Sequence, residues 1–103
     1  MSTKKYYGIE SLQAKFGPMT VGLFLRAFRE ADGLSQAQFG KKLKLSRANV
    51  CDIEKGRKQV SLSRAVHFAK CLGVPDELMI LLVIRDSLRA AKLKYSVELK
   101  KIG

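Results

Sequence analysis

The stretch from Leu34 to Gly56, LSQAQFGKKLKLSRANVCDIEKG, leaves the chain few choices of fold. It holds two short helical patterns with only Lys44 and Leu45 between them for a turn. The first opens at Ser35, whose hydroxyl is placed to accept from the backbone N–H of Gln38, while the Gln38 side chain reaches back to the N–H of Ser35. Leu34 and Phe39 flank this capping box as a hydrophobic staple. The second pattern opens at Ser46, with Leu45 before the cap and Val50 at the fourth helical position. Two helices joined by a tight turn are therefore expected.

On a wheel of about 100° per residue, Val50 and Ile53 of the second helix fall on one side, and Ala48, Cys51, Asp52 and Lys55 fall opposite. The first side is anchored in a core and the second is free. The free side begins with Arg47, Ala48 and Asn49 and runs out into Lys55, Gly56, Arg57 and Lys58. Side chains able to read bases early in a helix, followed by positive charge late, suit a helix that enters a DNA major groove.

Charge points the same way. Twenty Lys and Arg against nine Asp and Glu give a net charge of +11 in 103 residues. An excess of that size implies an anionic partner, nucleic acid or membrane, because neutralising phosphates releases condensed counterions. Seven basic residues lie between Ser35 and Val60, and a second group lies between Arg85 and Lys101. The longest apolar run, Leu78 to Ile84, is too short to span a bilayer, which leaves nucleic acid and a cytoplasmic location as the expectation. Two cysteines and one histidine assemble neither a zinc knuckle nor a disulfide framework, so no metal or cofactor is expected and the compartment is read as reducing.

In chain order, residues 1–18 read as a basic arm followed by a short helix, with Ile9, Leu12 and Phe16 on one face and Gly17-Pro18 ending it. Residues 19–92 read as the DNA-binding domain, with its motif at 35–56. The pair Met19-Thr20 repeats the apolar-then-cap signature and opens a helix with Leu23, Phe24, Ala27 and Phe28 inward, stopping at Gly33. Val60-Ser61 is a further such pair. It opens a helix with Leu62, Ala65, Val66, Ala69 and Leu72 on its buried face, ended by Gly73 and Pro75. From Asp76 the chain is helical again, with acidic residues at the positive end of the dipole. Its apolar residues from Leu78 to Ile84 exceed what so small a core can take, and part of that surface is expected to meet another chain. Residues 93–103 read as an extension for dimerisation or partner binding. Leu93, Tyr95, Val97 and Leu99 alternate as in a β-strand, while Leu88, Ala91, Tyr95, Leu99 and Ile102 also fit a helical stripe. The strand is favoured, and no other segment of the sequence offers it a partner.

Residues 20–74 resemble the Cro and phage-repressor type of helix-turn-helix domain, the xenobiotic-response-element family of bacterial regulators. The matching residues are Gln36, Phe39, Gly40, Leu43, Leu45, Ser46, Val50, Ile53, Glu54 and Gly56, followed by Leu62, Ala69, Leu72 and Gly73. Lys44 departs from the family, which most often has glycine in the turn. A left-handed backbone is costlier for lysine, so a slightly reshaped turn is expected. The resemblance implies an all-α, five-helix DNA-binding domain that acts as a homodimer on a pseudo-palindromic operator. Carried over by position, base contacts fall on Arg47, Ala48 and Asp52, and phosphate contacts on Gln36, Ser46, Asn49, Arg57 and Lys58. Arg29 and Glu54 match the family's paired arginine and glutamate.

Simpler readings stand beside these. Arg47 as a solvated first-turn residue is the alternative to base contact. Asp52 either reads a cytosine amino group or pairs with Lys55. Cys51 and His67 are read as ordinary side chains. A transcriptional repressor is the leading function. The alternative is the antitoxin of a type II toxin–antitoxin pair, which would repress its own operon and hold a toxin protein with an appended segment. An enzyme lacks parts: there is no carboxylate pair in a motif and no phosphate-binding glycine loop.

Overall fold

At Met19-Thr20, Leu34-Ser35, Leu45-Ser46 and Val60-Ser61 an apolar residue precedes a hydroxyl residue, and a helix begins at each. The structure, a computed structural model, describes residues 19–102. Thr20 opens α1 (Val21–Ala31), Ser35 opens α2 (Gln36–Leu43), Ser46 opens α3 (Arg47–Glu54) and Ser61 opens α4 (Leu62–Leu72). In each case the hydroxyl accepts from the backbone N–H three residues on, at 3.0 to 3.2 Å. Only Ser35 has the reciprocal bond, its N–H donating to Gln38 Oε1 at 2.8 Å. The fifth helix, α5 (Asp76–Ala90), starts after Pro75 without a side-chain cap and carries Asp76 and Glu77 in its first turn. Those carboxylates face the positive end of the helix dipole.

The helix ends share one device. Gly33, Lys44, Gly56, Gly73 and Lys92 all take positive φ, between 59° and 76°. After each, the next N–H returns to a carbonyl five residues earlier, as in Leu45 to Gly40 at 2.7 Å and Leu93 to Leu88 at 2.8 Å. Lys44 therefore adopts the left-handed backbone (φ 60°, ψ 44°) that glycine would take, and the turn keeps its shape rather than changing around the lysine. The strain of a side chain in that region is the cost, on the order of 1 kcal/mol.

The core is built around Phe39, Phe68, Leu25, Leu43, Met79 and Leu82, all fully buried. α4 packs against α5, α2 against α3, and α1 against α3. Two inward faces differ from the sequence reading. α1 buries Val21, Phe24 and Leu25, leaving Leu23 and Phe28 at the core's edge. α4 buries Ala65, Phe68, Ala69 and Leu72, while Leu62 is half exposed and Val66 half-buried. In each helix the partners lie off the centre of the apolar stripe, which the wheel alone does not show.

α5 buries Met79, Leu82 and Val83 and leaves Leu78, Ile80, Leu81 and Ile84 half-buried. Residues 93–102 form neither strand nor helix. The strand favoured from the alternation at Leu93 to Leu99 is thus absent from the single chain, because a strand needs a ladder and the described residues supply no second one. The short helix expected near Ile9 to Phe16 and the basic arm lie outside the described residues.

Candidate nucleic-acid interface

α2 and α3 meet where there is no room for a side chain. A Cβ on Gly40 would sit 2.5 Å from the carbonyl oxygen of Leu45, so the first helix of the pair can press directly onto the turn. Gly22 plays the same part beneath α3: a Cβ there would lie 2.2 Å from the carbonyl oxygen of Ile53. Val50 and Ile53 then lock α3 into the core, each 2% exposed.

A buried ion pair completes the anchorage. Arg29 Nε donates to Glu54 Oε2 at 2.7 Å and Arg29 Nη2 to Glu54 Oε1 at 3.1 Å, the fork-to-fork arrangement that fixes both groups. The Glu54 side chain is 3% exposed, so this is an interior contact. The hydrogen bond to Glu54, ahead of the opposing effect of burial, holds the Arg29 guanidinium above its ordinary range. Arg29 Nη1 also donates to the carbonyl of Leu34 at 2.9 Å, and Gln36 Nε2 donates to Glu54 Oε1 at 3.2 Å. One carboxylate thereby ties the end of α3 to α1 and to the first turn of α2.

On the other side of α3 lie the candidate contacts. Ser46, Arg47 and Ala48 are exposed at its N-terminus, and Asn49 and Asp52 are half-buried. Lys58 Nζ donates to Asn49 Oδ1 at 2.7 Å, which folds the loop after α3 back over that helix. Asp52 lies 3.7 Å from Arg57 Nη1, so the cation beside it is Arg57 and not Lys55. Asn49 with Lys58, and Asp52 with Arg57, are thus brought together beside α3, with Ser46, Arg47 and Ala48 exposed at its N-terminus and Gln36 at the start of α2. The links from Gln36 to Glu54 and from Lys58 to Asn49 have no sequence signal, since each depends on how two elements are set against each other.

Residues 20–82, from the cap of α1 into the middle of α5, match the helix-turn-helix domain. The chain belongs to that family. This agrees with the Cro and phage-repressor resemblance of the motif residues. No solved structure matches the chain. Around the helix-turn-helix domain the remaining chemistry is sparse. Among the described residues no three His, Cys, Asp or Glu side chains come together to hold a metal ion. Cys51 and Cys71 are free thiols, and Cys71 Sγ lies 3.6 Å from His67 Nε2. Among the described residues no helix is long and apolar enough to cross a membrane.

Proposed function

We propose that this helix-turn-helix protein binds a pseudo-palindromic operator in double-stranded DNA as a homodimer and represses transcription there. Arg47, Ala48 and Asp52 are the residues assigned to base edges, and Gln36, Ser46, Asn49, Arg57 and Lys58 those assigned to phosphates. The observation that supports this reading is the division of α3 into two faces. Val50, Ile53 and Glu54 are buried, while Arg47 and Ala48 are exposed beside Lys55, Arg57 and Lys58. A rigid helix with one free, cation-flanked face matches the width of the major groove. Gln36 Nε2 carries two N–H groups, and with one given to Glu54 the other remains for a phosphate at the start of α2, where free backbone N–H groups already favour an anion. Residues 19–92 are assigned as the DNA-binding unit, 1–18 as an arm and 93–103 as the assembly extension.

Selection of preferred duplexes from a random pool, followed by titration at several salt concentrations, tests the reading. The account expects a selected site with two-fold symmetry, bound about a thousandfold more tightly than scrambled sequence. It also expects an affinity that falls steeply as salt rises, and a reporter silenced when the site overlaps its promoter. Equal affinity for selected and scrambled duplexes would contradict it.

A further inference from the structure

The end of the chain carries a pattern that the DNA-binding face does not use. Beyond the Leu93 N–H, which closes α5, no backbone group through Ile102 bonds to another backbone group among the described residues. The side chains there still alternate, with Leu93, Tyr95, Val97 and Leu99 apolar and Lys94, Ser96, Glu98 and Lys100 polar. A period of two belongs to a strand with one covered face. In the single chain that face is only partly covered: Leu93 is 49% exposed and Tyr95 71%, while Val97 and Leu99 are half-buried. Free amides and carbonyls beside an apolar row form a pairing edge.

We propose that residues 93–99 pair antiparallel with the same residues of a second copy, about a two-fold axis at Ser96. This rests on the dimeric reading above and assigns the dimer its seam. Alternation requires odd residues to face odd ones, since a slip by one would turn every apolar side chain to the wrong face. With the axis at Ser96, Leu93 lies opposite the partner's Leu99, Tyr95 opposite the partner's Val97, and Lys94 opposite the partner's Glu98. Symmetry repeats each contact. An axis at Val97 would instead set Lys94 against the partner's Lys100. An axis at Tyr95 would need Lys92 in the ribbon, and Lys92 is held at φ 59° by the turn that ends α5. Charge complementarity and that turn select Ser96. The start of the ribbon lies against α5, where Leu93, Lys94 and Tyr95 line a depression with Arg85, Leu88 and Arg89.

Sedimentation of the full chain with Lys94→Glu, Glu98→Lys and the double variant tests the register. Facing opposite charges stabilise a strand pair and facing like charges oppose it, so each single reversal should weaken the dimer roughly tenfold. The double variant restores both pairs in reversed order and should return to within about twofold of the parent. Net charge alone would act differently: Lys94→Glu, by lowering a large positive charge, would tighten association, and Glu98→Lys would loosen it. That pattern, or an intact dimer indifferent to all three variants, overturns the seam and leaves the dimer standing. A parent chain that stays monomeric at concentrations on the order of tens of micromolar overturns the seam and the dimeric reading together. Under oxidising conditions Ser96→Cys should give more cross-linked dimer than the parent with its Cys51 and Cys71, and more than Tyr95→Cys or Val97→Cys. Strongest cross-linking at Val97→Cys would move the axis and contradict the proposal.

Discussion

Between Thr20 and Gly56 each helix begins on a hydroxyl cap and the buried charges meet one another, whereas from Ile84 onward the chain carries apolar and backbone groups that a single copy leaves uncovered. The first region has its helix starts and its buried charges satisfied, and it shares one core with α4 and α5. Its helices are short, eight residues each for α2 and α3, and would not persist alone in water. Caps, the Gly22 and Gly40 contacts and the Arg29–Glu54 pair hold them instead. The second region begins in the last turns of the longest helix and holds the least settled surface, with Ile84 and Leu88 half-buried and Tyr95 exposed. The contrast shows what each part is suited to. A scaffold whose caps and charges are satisfied can present one helix face to a ligand, and a surplus of apolar surface suits contact with another chain.

Removing a partner from inside the first region should have the largest effect. Glu54→Ala strands the Arg29 guanidinium in the interior and should cost about 3–5 kcal/mol in urea unfolding. Asp52→Ala, two residues earlier on the same helix, removes only an exposed pair with Arg57 and should cost less than about 1 kcal/mol. Operator binding should fall with Glu54→Ala as well, because Gln36 loses its fixed partner. Equal, small losses for both variants would show that α3 is not held by this pair.

A smaller effect separates the two kinds of contact on the free face. If Arg47 takes a guanine through O6 and N7, Arg47→Ala should cost about 1–3 kcal/mol on the selected operator and relax preference at one base pair per half-site. Arg57→Ala should weaken selected and scrambled duplexes alike and reduce the salt slope by about one. Competition titrations with both duplexes read the difference.

The smallest effect concerns the turn. Lys44 sits in a left-handed conformation that glycine enters without strain, so Lys44→Gly should raise stability by about 1 kcal/mol. Thermal unfolding measures this, and an unchanged or lowered midpoint would mean that the lysine carries no such strain.

What the chain discloses before folding is what its local chemistry decides. Four hydroxyl caps, the capping box at Ser35 and the stop at Gly33 are set by residues within a few positions of one another, and the structure has each of them. The resemblance of the motif residues also led to the family that the chain belongs to. The contacts that escaped notice are those between elements. Asp86 of α5 accepts the Val21 N–H at the start of α1, across 65 positions of sequence, and nothing near either residue announces it. Leu25 and Phe68 are not legible as core, because a helical stripe fixes a direction only once its neighbours are placed. Lys92 hides a left-handed stop because lysine is not the residue such a turn prefers.

On the proposed reading, the free face of α3, and not the cationic end of α5, meets DNA. A titration of isotope-labelled protein with the selected operator, followed residue by residue by NMR, tests it most directly. The account predicts that the largest shifts fall on Arg47, Ala48 and Asp52 with the operator, while Gln36, Ser46, Asn49, Arg57 and Lys58 shift with operator and scrambled duplex alike. Largest shifts at Arg85, Arg89 and Lys94, with α3 unmoved, would contradict it.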